Sequence, residues 1–269
     1  MAEIVTLNIQ RFTPETDKKP YIKKYEISYK EGMTILDALI KVKEEIDGSL
    51  SFRASCRMGI CGSCAMLVNG FPHLACHTQV KELNTFTFVI KPLPNFDIVK
   101  DLIVDLTPLF DRHEKILPGI MHKKQVNKDT PFLQSHEELN RYLQFSYCVK
   151  CGICLSACPT CATDKNFLGP QATTQAYRYS VDTRDEGLME RRQKVDNKHG
   201  IWHCHFAGAC SIACPKGVDP ALAIQRFKKL IISTYFKASK VKKATTYGPI
   251  DYTIKPKGEV PKAPERTVK

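Results

Sequence analysis

The sequence predicts an α+β chain with a β-rich first half and a helical second half. Apolar and polar residues alternate over residues 3–12 and 21–29, which is the pattern of half-buried strands. After Pro92-Leu93-Pro94 the apolar spacing is mostly helical from Ile98 onward. We therefore divide the chain near residue 105 and expect domains over 1–105 and 106–235, followed by an extension over 236–269.

The composition is that of an ordinary folded chain. With 269 residues, 43% of them hydrophobic and 25% charged, the chain is long enough for two modest domains with their own cores. It has no run of about 18 apolar residues that would span a membrane. The start, MAEIVTLNIQRF, lacks the layout of a secretory signal, so we expect a chain that stays on the cytosolic side.

The C-terminal extension carries much of the positive charge. Of the net charge of +12, six charges lie beyond Tyr235, where nine Lys and Arg residues face three Asp and Glu residues. This proline-punctuated, basic composition is typical of an extended arm rather than a nucleic-acid-binding domain. A solvated terminus and a segment that docks on a partner or on anionic lipid both remain open.

The first half has the element order of a β-grasp ferredoxin. Two strands are followed by a helix that Thr34 and Asp37 begin, since a Thr hydroxyl can cap its first amides, and that continues to about Ile46. A loop rich in Cys and Gly comes next, then short strands around Ala65–Val68 and Phe86–Lys91. In the second half, Asp219-Pro220 predicts the start of a helix.

Twelve cysteines are clustered at short gaps, which favours reduced thiolates that bind metal over a disulfide framework. SCRMGICGSC gives C-x4-C-x2-C, and a fourth cysteine follows after eleven further residues. This spacing is typical of plant-type 2Fe-2S centres, whereas structural zinc sites more usually show paired C-x2-C units. Gly59 and Gly62 are expected to let backbone amides approach the sulfurs. The predicted ligands are Cys56, Cys61, Cys64 and Cys76.

The second half contains one complete and one gapped bacterial-ferredoxin motif. CVKCGICLSACP is a full C-x2-C-x2-C-x3-C-P run, but in CHFAGACSIACP the second cysteine is replaced by Ala207. Because the last cysteine of each run binds the other cluster in two-cluster ferredoxins, two ligand sets follow. They are Cys148, Cys151, Cys154 and Cys214 on a 4Fe-4S cluster, and Cys158, Cys204 and Cys210 on another cluster.

The third cluster therefore lacks one thiolate. Either it is a 3Fe-4S cluster, or Cys161, the single unassigned cysteine, completes a second 4Fe-4S cluster. The plain alternative for Cys161 is a small buried apolar side chain.

Taken together, these motifs resemble the iron-sulfur subunit of succinate dehydrogenase and fumarate reductase. The matching stretches are LSFRASCRMGICGSCAMLVNG, LACHT, CVKCGICLSACPT, NFLGPQA and CSIACPKGVDPALAIQRF. The resemblance implies an electron-transfer subunit, with no catalytic residues of its own, that passes single electrons between an FAD-carrying flavoprotein and a quinone. It further implies membrane-anchor subunits that hold the chain at the cytoplasmic face of the membrane. His205 and Pro159 would then lie near the quinone side, although His205 is equally interpretable as a surface or hydrogen-bonding residue.

The sequence departs from the common family pattern at two positions. Thr163 stands where quinone-reacting members often have Trp, and Cys161 has no counterpart in them. Both features are similar to an archaeal and related bacterial branch with a cysteine-rich anchor. Two other functions stay open at this point: the iron-sulfur subunit of another flavin-dependent oxidoreductase, and a zinc scaffold with a basic tail for nucleic acid.

Overall fold

The computed structural model describes residues 3–123 and 131–236. The first half is a five-stranded mixed sheet with one helix, followed by a short hairpin. Its elements are β1 (Ile4–Arg11), β2 (Tyr21–Ser28), α1 (Ile35–Glu45), β3 (Ala65–Val68), β4 (Phe71–Leu74), β5 (Thr87–Lys91), and the hairpin strands β6 (Ile98–Lys100) and β7 (Ile103–Val104). The strand order is β2-β1-β5-β3-β4, in which β1 and β5 are parallel and the other pairs are antiparallel.

The second half is helical, as predicted. Its helices are α2 (Thr107–Lys115), α3 (His136–Asn140), α4 (Leu143–Ser146), α5 (Ile153–Ser156), α6 (Pro159–Thr163), α7 (Gly169–Ser180), α8 (Leu188–Val195), α9 (Ala209–Ile212) and α10 (Pro220–Tyr235). Short 3-10 turns occur at Lys81–Leu83 and Ile201–His203. No helix of the described residues is long and apolar enough to cross a bilayer. The basic extension beyond Phe236 lies outside the described residues.

The predicted helix starts are built as the sequence indicates. Thr34 Oγ1 accepts a hydrogen bond from the Asp37 amide at 3.1 Å, and the Asp37 carboxylate accepts one from the Thr34 amide at 3.0 Å. This capping box satisfies amides that the first turn leaves without intrahelical partners. Asp219 does the same for α10, because its Oδ1 accepts from the Leu222 amide at 2.9 Å.

Two local expectations were wrong or incomplete. Residues from Ile98 to Val104 form the hairpin β6–β7 instead of a helical stretch, since helical spacing begins only at α2. The strand β4 was not predicted because it contains Pro72. A proline is tolerated there because β4 is the edge of the sheet, where one side needs no backbone donor.

A buried polar network fixes the loop that leads into the first cysteine motif. Arg11, at 4% exposure, donates to Asp101 at 3.0 Å and to Asp47 at 2.7 Å. Asp101 also accepts from the Ser51 amide at 2.9 Å. Because a buried charge is costly unless it is paired and hydrogen-bonded, this network ties β1 to residues 47–51.

The cores of the two halves are in contact. The first core lies between the sheet and the buried face of α1, and it also contains Ile153 and Ala213 from the helical half. The second core is formed mainly by α7 and α10, which bury Ala172, Ala176 and Phe227. The cysteine loops lie where these two cores meet.

Candidate metal centres

The loop between α1 and β3 surrounds Cys56 with backbone amides. The amides of Met58, Ile60 and Cys61 donate to Cys56 Sγ at 3.5, 3.3 and 3.3 Å. These N–H groups, that of Met58 foremost, lower the pKa of the Cys56 thiol to about 6, because they stabilise the thiolate. The left-handed backbone of Arg57, at φ 55°, is one of the turns that direct amides inward.

The other cysteines of the first set lie beside Cys56. The Gly59 amide donates to Cys76 Sγ at 3.2 Å, and the Cys76 amide donates to Cys64 Sγ at 3.4 Å. Burial raises the pKa of the Cys64 thiol to about 12, and the neighbouring Cys76 and Cys61 thiols add to that rise. The structure thus brings Cys56, Cys61, Cys64 and Cys76 into one group in which amide donors face sulfur.

Gly62 lies at the contact between the first and second cysteine loops. Its φ is +75°, and a Cβ atom at this position would lie 2.7 Å from Cys151 Cβ and 2.8 Å from Cys151 Cα. These distances are well below carbon–carbon contact distances of about 3.5–4.0 Å. The two loops are therefore in direct backbone contact, which only a residue without a side chain permits.

The two ferredoxin-like motifs share one backbone conformation. Lys150 and Gly152 have φ values of 55° and 82°, and Phe206 and Gly208, at the matching positions, have 59° and 73°. In both motifs the glycine precedes a four-residue helix, α5 or α9. Ala207 therefore occupies the place of Cys151 in the same loop geometry, but it lacks the sulfur.

The first of these motifs and the distant Cys214 line one cavity. Four cysteines contribute to its lining: Cys148, Cys151, Cys154 and Cys214. Burial raises the pKa of Cys151 to about 12, and burial followed by the neighbouring thiols raises that of Cys154 well above its usual value. Thiols in such a site release their protons to solvent when a metal binds, because the metal cation stabilises the thiolate in place of the missing solvation.

A second cavity is lined by the remaining predicted ligands. These are Cys158, Cys204 and Cys210, and Ala207, Pro159 and His205 also line it. Burial raises the pKa of Cys210 to about 11.

Cys161 lies behind this cavity, not in its lining. It is 4% exposed and packs with Leu109, Leu155 and Phe167. The neighbouring Cys161 thiol lowers the pKa of Cys158 to about 6, and the Cys158 thiol, followed by burial, raises the pKa of Cys161. Cys161 therefore lies beside a predicted ligand, whereas Ala207 lines the cavity.

The three sets suit iron-sulfur clusters better than single ions. Among the described residues, no three His, Cys, Asp or Glu side chains are placed to bind one metal ion. The cysteines of the second half instead line two cavities to which no carboxylate contributes. Thiolate ligands without carboxylates match the ligand chemistry of iron-sulfur clusters.

Two contacts that hold these loops were not predicted. Asn95 Nδ2 donates to the carbonyls of Leu155 at 2.9 Å and Ser156 at 3.0 Å, and so holds the end of α5 against the first half. Lys228 Nζ, on α10, donates to the Cys204 carbonyl at 3.1 Å. Asn95 adopts a left-handed backbone conformation with φ 66°, which asparagine tolerates in turns. Its hydrogen-bond partners lie about 60 residues away in sequence, so no local pattern indicates them.

Two family models match the two halves. The model described as a 2Fe-2S iron-sulfur cluster binding domain matches residues 6–111, and the model described as a 4Fe-4S dicluster domain matches residues 144–218. Both matched ranges contain the cysteine sets described above.

Several relatives are similar over most of their length. A fumarate reductase iron-sulfur subunit of Mycobacterium tuberculosis is 40% identical, covering 85% of this chain and 93% of the relative. One of Escherichia coli is 42% identical, covering 85% and 94%. A succinate dehydrogenase iron-sulfur subunit of Paracoccus denitrificans is 39% identical, covering 84% and 87%. A chain of the Mycobacterium smegmatis Sdh1 complex, 21% identical, has the same fold, with a TM-score of 0.75 over 88% of this chain and 98% of that one.

Proposed function

The chain belongs to the family of iron-sulfur subunits of fumarate reductases and succinate dehydrogenases, and we propose from this premise how its residues carry electrons. Its partners are a flavoprotein, where succinate and fumarate interconvert, and a membrane anchor with a quinone site. The chain supplies a path between these two reactions and no substrate chemistry of its own.

The contact between successive cysteine sets supports this function. Gly62, in the first loop, touches Cys151 of the second set. Cys154 of the second set packs against the same small core as Cys158 and Cys204 of the third. The three sets thus follow one another through the structure. When bound, each cluster accepts and releases one electron, which lets a two-electron flavin reaction serve a quinone in single steps.

We assign the ligands of the three sets as follows. Cys56, Cys61, Cys64 and Cys76 hold a 2Fe-2S cluster, and Cys148, Cys151, Cys154 and Cys214 hold a 4Fe-4S cluster. Cys158, Cys204 and Cys210 hold the third.

The third cluster is a 3Fe-4S cluster in this proposal. The Cys161 thiol is engaged with Cys158 and lies outside the cavity lining, whereas Ala207 faces the cavity and offers no ligand. This favours the open-corner alternative over a second cubane. Cys161 instead donates its S–H to a ligand sulfur, and thereby compensates negative charge on the cluster.

Exposed apolar side chains lie beside the first and the third cluster and are candidate contacts for the two partners. Met58 and Ile60, beside the first cluster, are 63% and 56% exposed, which suits contact with the flavoprotein. Phe206, beside the third cluster, is 59% exposed, and it lies next to His205 in the cavity lining. We assign this end to the anchor and its quinone, with Pro159 and His205 on the quinone side, and place the chain at the cytoplasmic face of the membrane.

Electron paramagnetic resonance (EPR) of the complex, purified with its partner subunits, tests the proposal. The oxidised complex is expected to show a stoichiometric 3Fe-4S signal, and succinate-reduced or dithionite-reduced samples are expected to add signals of the other two clusters. An oxidised complex that is silent after anaerobic preparation would favour a second 4Fe-4S cluster. A complex that does not oxidise succinate or reduce fumarate would indicate another flavin-dependent oxidoreductase.

A further inference from the structure

Two buried polar side chains of α7 border the cavity of the second cluster, and the hydroxyl of one of them has no hydrogen-bond partner among the described residues. Thr174 is 1% exposed, and its Oγ1 atom has no hydrogen-bond partner among the described residues. Gln171 is 2% exposed and lies one turn earlier on the same helix face. Both side chains line the cavity that Cys148, Cys151, Cys154 and Cys214 surround.

The neighbouring Thr173 shows what an ordinary buried threonine does in this helix. Its Oγ1 donates to the Gly169 carbonyl at 2.8 Å and also contacts the Pro170 carbonyl at 3.2 Å. The side chain is fully buried, yet it does not line the cavity. The Thr174 hydroxyl has the same chemistry but is not satisfied by its own helix.

Leaving a buried hydroxyl without a hydrogen-bond partner is unfavourable, because the group has lost its water and gained nothing in exchange. Native structures therefore rarely contain such groups unless a ligand, ion or water completes them. The space that faces Thr174 is the space of the proposed 4Fe-4S cluster, whose sulfurs accept hydrogen bonds. The cluster is thus the partner that the orphan hydroxyl lacks.

Gln171 does not share this property. Its Nε2 group lies 3.1 Å from His113 Nδ1, and its buried atom without a hydrogen-bond partner among the described residues is Oε1. Because Oε1 accepts hydrogen bonds, sulfur atoms that also accept them cannot satisfy it. The inference therefore rests on Thr174 alone.

We propose that Thr174 donates a hydrogen bond to a sulfur atom of the second cluster and thereby raises its reduction potential. Reduction adds one negative charge to the cluster, so a donor beside its sulfurs stabilises the reduced form more than the oxidised form. The proton stays on the hydroxyl oxygen, and only the electron moves. Thr174 acts through the cluster environment as a positioning residue, and the inference rests on the ligand set proposed above.

A redox titration of the whole complex, followed by EPR of the reduced 4Fe-4S cluster, tests this inference. For Thr174→Val we expect the equilibrium constant of one-electron reduction to fall about tenfold, which corresponds to a potential about 59 mV lower.

Three further threonine substitutions on α7 serve as controls. Thr173→Val removes a hydroxyl of equal burial from the same helix and should leave the potential unchanged. Thr174→Ser keeps the donor and should also leave it unchanged, while Thr174→Ala removes the donor without adding a methyl group.

The outcomes separate the inference from the proposed function. A complex without any 4Fe-4S signal would contradict the proposed ligand set itself. A normal signal with an unshifted potential in Thr174→Val, or an equal shift in Thr173→Val, would overturn only the role of Thr174. Loss of the cluster in both Thr174→Val and Thr174→Ala would also overturn it, because it would show a need for assembly and not for tuning.

Discussion

Gly62→Ala is the substitution whose effect the structure defines best. The new Cβ would lie 2.7 Å from Cys151 Cβ, so the two loops would have to separate by about 0.8 Å to reach the lower limit of carbon–carbon contact, about 3.5 Å. Cys151 is held by its own loop and, in the proposed assignment, by the second cluster. The change therefore acts on the contact between the first and second centres.

The expected cost has two parts. Alanine in the left-handed conformation at φ +75° costs about 1–2 kcal/mol, and overpacking a close contact costs about 1–3 kcal/mol. Gly32→Ala is the matched control, because Gly32 has φ +77° and its added Cβ would meet no atom within 4 Å. The difference between the two variants isolates the contact and should be about 1–3 kcal/mol.

Thermal loss of the cluster absorption, measured on each purified complex, checks this difference. For chains of about 150–250 residues, 1 kcal/mol shifts the midpoint by roughly 2–4 °C. The Gly62→Ala midpoint should therefore lie roughly 2–12 °C below that of Gly32→Ala. Equal midpoints would refute the inference that Gly62 holds the two loops in contact.

Four further outcomes are expected. Cys76→Ser should remove the 2Fe-2S signal while the other two clusters remain, and loss of all three in soluble protein would contradict ligands confined to the first half. Cys214→Ser should damage the same cluster as Cys148→Ser, so the EPR spectra of the two variants should match. A normal 4Fe-4S signal in Cys214→Ser would exclude the exchange of ligands between the two motifs. Cys161→Ala should keep the 3Fe-4S signal but lower its potential, because an S–H donor is lost; appearance of that signal only in the variant would instead make Cys161 a ligand. Arg191 and Asp185 form a fully buried ion pair, and Arg191→Met leaves the Asp185 carboxylate without its counter-charge. This variant should destabilise the chain by about 3–5 kcal/mol in thermal melts, and an unchanged midpoint would argue against a structural role for the ion pair.

Much of the first half was predictable because its signals are local. Thr34 and Asp37 are three residues apart, so their capping box requires only a helix between them, and the alternation in β1 and β2 reports one buried face. The strand β4 and the hairpin β6–β7 were not predictable in this way. Pairing with β3 decides the first, and a turn at Asp101, whose carboxylate binds Arg11 from a distant strand, supports the second.

The cysteine spacing determined by itself which chemistry the chain supports and which residues are candidate ligands. The spacing is informative because a cluster binds to sulfur atoms that lie at short, fixed separations along one loop. It could not decide the role of Cys161, since the direction of a side chain on α6 depends on what packs against it. The apolar contacts of Leu109, Leu155 and Phe167 turn this thiol away from the cavity.

Only the tertiary structure revealed the long-range contacts of Gly62 and Thr174. The cysteine motif drew attention to Gly62, but its contact with Cys151 depends on a loop far away in sequence. Thr174 belongs to no motif, and its place beside the cavity of the second cluster depends on distant cysteines. Close packing decides their roles, since a missing Cβ or an unpartnered hydroxyl acquires meaning only from the atoms that surround it.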